Sequence, residues 1–197
     1  MDRNSVGKPP SVADSDARNP KKVARSATVR PDGVFESNTY YLEKFRGSSG
    51  VLVEPVPEMF RGIAINRPTA KAFHCTLVAA DHPDSTVSIA ADHAVSRIVP
   101  GRSASGINTV QVPARTLTSV LAEAGATTID FLSLDVEGFE LKVLSGLDFS
   151  RYHPRYMLIE CLDHNSRAAV DALLAGLYRR VEEVTYRDAL YASLPQA

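Results

Sequence analysis

The first 30 residues show no hydrophobic period. MDRNSVGKPPSVADSDARNPKKVARSATVR is rich in Pro, Ser, Asp and basic residues, and so few apolar positions cannot bury enough surface to offset the entropy lost on ordering. Residues 1–30 are therefore expected to be disordered or weakly ordered, with the folded domain over residues 31–197. From Asn38 the pattern changes. In SNTYYLEKF, Tyr41, Leu42 and Phe45 fall on one face of a short helix that Ser37 or Asn38 is placed to cap. Val51, Leu52 and Val53 read as a short buried parallel strand ended by Pro55. EMFRGIAIN follows as a helix with Met59, Phe60 and Ile63 inward. KAFHCTLVAAD and TVSIAA are strand candidates, residues 92–109 a Gly/Ser/Pro loop, and TVQVPA a further short strand.

The second half is more regular. Leu117, Val120, Leu121 and Ala124 keep the i, i+3, i+4, i+7 spacing of an amphipathic helix, with Gly125 at its stop. IDFLSLDV is a near-continuous apolar strand ending in a carboxylate, and GFELKVLSG is the helix after it. RYMLIEC is another buried strand. Val170, Leu173, Leu174 and Leu177 form one stripe of the next helix, and RRVEEVTY and DALYASL close the chain as an antiparallel pair. Strands alternating with helices predict an α/β fold of βαβ units around a mostly parallel sheet.

Composition narrows the functional classes. The 197 residues suit one domain with a modest tail, and 44% apolar residues supply a core. A formal net charge of −1 gives no electrostatic case for nucleic acid. Cys75 and Cys161 sit in apolar runs and read as buried reduced thiols. No run approaches a membrane span and no secretory apolar segment opens the chain, so a soluble, cytoplasmic protein is expected.

Ligands of open α/β sheets lie beyond the carboxyl ends of the strands. Acids end three of them: Glu54, the pair Asp135 and Glu137, and Glu160. Glu54 suits the ribose hydroxyls of an adenosine; the competing reading is an acid that offsets the dipole of the helix after it. Asp135 ends its strand and faces the cleft, whereas Glu137 is expected in the first helical turn. Gly138 suits an unusual backbone conformation between them and Glu140. Asp-His occurs at Asp81-His82, Asp92-His93 and Asp163-His164. No HxxxH or HxH spacing supports a metal site, and none is expected; His82 and His93 remain candidate bases in loops after strands. The absence of G-x-S-x-G and GxxxxGK[ST] disfavours the corresponding hydrolases and P-loop enzymes.

Two blocks, SNTYYLEKF…SGVLVEPVPEMF…NRP and VPARTLTSVL…IDFLSLDVEGFELKVLSGLDF…YMLIE, together resemble the FkbM-type methyltransferases from about Asp32 to Glu160. The resemblance implies a Rossmann-like class I methyltransferase sheet and S-adenosyl-L-methionine as methyl donor. It further implies O-methylation of a hydroxyl on a sugar or other small metabolite. Position by position, it assigns Glu54 to the ribose, and Asn38 and Glu43 to the stretch after the glycine-rich cofactor loop. Asp32 and Gly33 are what survives of that loop, and Asp135 is the acid near the methionine part and the acceptor. Asp135 and His82 are the candidate catalytic residues. The departure from the family pattern is at the start: KKVARSA stands where an apolar first strand belongs, and Val29 or Arg30 where a glycine belongs. Two readings follow, a working enzyme with an atypical first strand, or a degenerate relative that acts as a binding module. A hydrolytic or carbohydrate-binding domain is a third. Residues 22–33 discriminate the first two.

Overall fold

The computed structural model describes residues 22–27, 34, 37–90, 97–98 and 109–195. A seven-stranded sheet organises the chain. Its strands are β1 (Lys22–Ala27), β2 (Ser49–Val53), β3 (Lys71–Phe73), β8 (Phe131–Asp135), β9 (Tyr156–Glu160), β10 (Tyr178–Glu183) and β11 (Asp188–Ser193). Their spatial order is β10-β11-β9-β8-β1-β2-β3. The β8–β9, β1–β8, β1–β2 and β2–β3 pairs are parallel, and β11 is antiparallel to both β9 and β10. The mostly parallel sheet and the antiparallel C-terminal pair thus both form.

The centre of the sheet is the largest difference from the expectation. KVARSA, which composition assigns to a weakly ordered segment, is β1, hydrogen-bonded between β2 and β8. A central strand gains ladder bonds on both edges, and that pairing overrides a polar composition that propensity alone disfavours. The folded domain therefore starts before residue 31.

Parallel neighbours need crossovers, which helices supply. Helix α1 (Tyr40–Arg46) joins β1 to β2, and α2 (Pro57–Asn66) joins β2 to β3. Helices α3 (Leu117–Glu123), α4 (Glu140–Ser145) and α5 (His164–Leu174) serve the other half. Their inward residues, including Leu117, Leu121, Val143, Leu144, Val170 and Leu174, share one core with Leu132, Leu134, Met157 and Ile159 of β8 and β9. These helix faces match the apolar spacing in the sequence. In α2, Met59 and Ile63 are buried, while Phe60 is half-buried and stacks on His74 with ring centroids 5.1 Å apart.

Helix α1 departs from its expected face. It buries none of its residues, and Tyr41 and Phe45 are 57% and 68% exposed. The N-cap position falls to Thr39, although Ser37 Oγ does accept from Tyr40 N at 3.1 Å. KAFHCTLVAAD is also not one strand. It divides at His74 and Cys75 into β3 and β4 (Thr76–Leu77), which belong to different sheets. The second sheet runs β4-β7-β5-β6, with β5 (Thr86–Ala90), β6 (Arg97–Ile98) and β7 (Thr109–Arg115). It closes a smaller core of Val56, Met59, Val78, Val87, Ile89 and Val112. No helix among the described residues is long and apolar enough to cross a membrane.

Candidate functional site

The strand order locates a crevice. From β1 the chain moves outward on one side to β2 and β3, then returns to the other side of β1 as β8 and β9. The switch point lies between β1 and β8, and a crevice opens beyond the carboxyl ends of strands at such a point. Asp135 closes β8 there, in register with Ala27, the last residue of β1.

The turn after Asp135 is built with unusual backbone. Glu137 has φ 52° and Gly138 φ 94°. Among the described residues Glu137 is the one non-glycine at positive φ, which costs of order 1–2 kcal/mol. Gly138 is required twice over: its φ disfavours a side chain, and a Cβ would lie 3.1 Å from Leu162 Cδ1. Glu140 ties the turn down. Its buried Oε1 accepts from Val136 N at 3.2 Å and Gly138 N at 3.0 Å. Burial raises the Glu140 carboxyl above its ordinary value, against the lowering effect of those backbone donors. Because α4 begins at Glu140, Glu137 is not in its first turn as the sequence suggested. Glu140 is the helix-start acid, and Glu137 belongs to the turn.

Glu54 directly follows β2 and is fully buried. Its Oε1 accepts from Val56 N at 2.8 Å, and its own N–H donates to Phe73 O at 3.1 Å. The side chain thus organises the entry to α2, as the competing reading expected, while its carboxylate stands at the strand end next to β1. Asn38 is exposed and donates from Nδ2 to Ser133 Oγ at 3.1 Å, reaching β8 from the start of α1. Glu43 is engaged elsewhere, by Arg67 and by Thr69 Oγ1. Asp32, Gly33 and His93 lie outside the described residues.

A cleft of about 1200 Å³ lies beside α4, lined among others by Asp81, His82, Asp84, Gln111, Phe139 and Lys142. Neither Glu54 nor Asp135 lines it. His82, in the loop between β4 and β5, has a buried Nε2 with no hydrogen-bond partner. The Asp163-His164 pair has a structural role: Asp163 accepts from Ser166 N at 2.8 Å and closes a capping box on α5. Cys75 and Cys161 are free and buried, and burial pushes both thiols up to about 11.

The structure therefore places Asp135 and Glu54 at the ends of β8 and β2, on either side of β1, ties Asn38 to β8 through Ser133, and sets His82 in the cleft beside α4. Three participants escaped the sequence reading. Ser133 looks like an interior strand residue, and only its pairing with Asn38 marks it. Arg67 lies in NRP just past the apolar run Ile63–Ile65, and nothing in that local pattern signals a buried cation. The cleft wall combines α4 with a loop some 60 residues earlier, roughly, which no local pattern reveals.

Comparison with known proteins agrees with this architecture. The Methyltransferase FkbM domain model matches residues 27–187. Among solved structures, methyltransferase FkbM from Methylobacillus flagellatus KT superposes with a TM-score of 0.53 at 13% identity. That match covers 87% of this chain and 44% of the other, so the chain spans less than half the length of that protein. The delta-N METTL16 MTase domain gives a TM-score of 0.47 at 12% identity, over 91% of this chain and 74% of the other. No curated protein matches the chain in sequence. The Methylobacillus structure speaks to the fold; the family match, over most of the chain, shows that this protein belongs to the FkbM methyltransferase domain family.

Proposed function

We propose that the chain is an S-adenosylmethionine-dependent methyltransferase that O-methylates a hydroxyl on a sugar or another small metabolite. The observation that carries the proposal is the pair of carboxylates, Glu54 and Asp135, at the carboxyl ends of the two strands flanking β1. Two interstrand spacings separate those ends, roughly 10 Å. A ligand lying across β1 would meet a carboxyl group at both ends, and hydroxyl donors or positive charge there would suit it. S-adenosylmethionine offers both, with ribose hydroxyls on one side and a cationic methionine portion on the other.

Glu54 would hold the ribose hydroxyls and Asp135 the methionine end. Asn38, with Asp32 and Gly33 from the family resemblance, would line the stretch between them. When bound, the group supplies an electrophilic methyl. The protein's part is alignment and proton removal. The acceptor enters by the cleft beside α4, where Phe139 offers an apolar surface and Asp81, Asp84 and Gln111 offer polar contacts. Two groups are candidates for the acceptor's proton: Asp135 at the strand end, and His82 through its unpartnered Nε2.

The test is methyl transfer from radiolabelled S-adenosylmethionine to a panel of mono- and disaccharides and polyols. Asp135→Asn is expected to lose roughly 10²-fold or more in turnover. His82→Gln is expected to lower turnover roughly 10²-fold while S-adenosylmethionine still binds, if the imidazole is the base. Turnover unchanged in both variants would take the two residues out of the chemistry.

A further inference from the structure

Among the described helices, α1 alone buries none of its residues. Two of its three aromatic residues, Tyr41 and Phe45, pack on each other at 5.5 Å and face solvent, while the half-buried Tyr40 ring lies 5.9 Å from the Arg67 guanidinium carbon. Apolar burial therefore does not set its position. What holds it is Arg67, a residue 2% exposed in the turn after α2.

The guanidinium divides its donors among three partners. Nε donates to Glu43 Oε2 at 2.8 Å, and NH2 reaches the same oxygen. NH1 donates to Thr39 Oγ1 at 3.1 Å and to Ser37 Oγ at 3.2 Å. Thr39 stands at the N-cap of α1, yet its hydroxyl makes no cap bond and serves Arg67 instead. The lock sits tightly on β2: a Cβ at Gly50 would lie 3.2 Å from Glu43 Oε2. A planar, permanently charged fork is the group suited to hold several oxygens in fixed directions, and a lysine cannot replace that geometry.

Ser37 and Thr39 flank Asn38, the residue that bonds Ser133 on β8. Arg67 thus fixes the short segment Ser37–Thr39 at the entry to α1. We propose that Arg67 is a positioning residue for cofactor binding: through Ser37 and Thr39 it sets the entry to α1 and where Asn38 meets β8. The inference rests on the S-adenosylmethionine reading above.

The experiment titrates S-adenosylhomocysteine into wild type, Arg67→Lys and Thr39→Val, with thermal unfolding and amide exchange over residues 37–40 measured alongside. Thr39→Val keeps the Arg67–Glu43 pair and removes one contact to the segment, so it folds even where Arg67→Lys does not. Expected are a rise in dissociation constant of about 10-fold or more for Arg67→Lys and about 5-fold for Thr39→Val. Faster exchange at residues 37–40 should accompany both. In Thr39→Val the affinity loss should appear with little change in unfolding temperature, which a purely structural contact would not produce. Wild-type affinity in a folded Thr39→Val, together with unchanged exchange, overturns the inference while leaving the cofactor reading intact. A wild-type chain that binds no S-adenosylhomocysteine overturns both.

Discussion

The two strands that flank the crevice are held in opposite ways. On one side, β8 and the turn to α4 rest on apolar burial: Leu132 and Leu134 are enclosed by residues of α3, α4, α5 and β9. Glu140 then pins the turn from inside. On the other side, the segment from β1 to α1 has a strand of polar composition and a helix with an exposed aromatic face. Ladder bonds to two neighbours and the Arg67 lock position it. A core gives large, non-directional stabilisation. A buried ion pair gives little net stability but fixes direction. The site therefore joins a thermodynamically robust half to a geometrically specified one.

Substitutions should expose that asymmetry. Leu132→Ala removes a fully buried side chain and is expected to cost about 3 kcal/mol of global stability in urea unfolding. Phe45→Ser, a larger apolar deletion in the other half, is expected to stay within about 0.5 kcal/mol because the ring is already mostly in water. Similar costs for the two would erase the distinction. Between these extremes lies Gly138→Ala. Its positive φ and the approach of Leu162 predict a loss of about 1–2 kcal/mol, felt first at the Asp135 turn.

How far each half can be read from sequence follows from the same contrast. Apolar periodicity reports burial, so α3, α5, β8, β9 and the β10–β11 pair are all legible. The β1 strand was not, because its place comes from backbone pairing rather than from side chains with a pattern. For α1 the period was present but misled: Tyr41, Leu42 and Phe45 mark a stripe, yet the helix turns Glu43 toward Arg67 and leaves the rings outside. The strand-end positions of Asp135 and Glu54 were legible, because each closes a short apolar run that forms a strand. The roles of Glu137 and Glu140 were not, since they depend on where α4 starts, and a turn with two positive φ values delays that start beyond what propensity indicates.

A smaller effect separates charge from shape in the turn. Burial raises the Glu140 carboxyl above 4.5, so the folded state holds its proton more tightly than the unfolded chain. Its contribution to stability is then full below pH 4.5 and is lost as pH rises through the folded value. Glu140→Gln keeps an oxygen for Val136 N and Gly138 N but does not titrate. Unfolding temperatures followed from pH 4 to pH 7, roughly, should fall more in wild type than in this variant. Parallel curves would show that the buried carboxyl costs nothing on ionisation.

The central claim, that Glu54 and Asp135 bracket a bound S-adenosylmethionine across β1, is tested most directly by calorimetric titration of that compound into wild type and Glu54→Ala. The account predicts one-to-one binding by wild type and affinity weaker by about 10- to 100-fold in the variant, as expected for hydrogen bonds to a charged group. Equal affinity in the two proteins, or no heat with wild type, would contradict it.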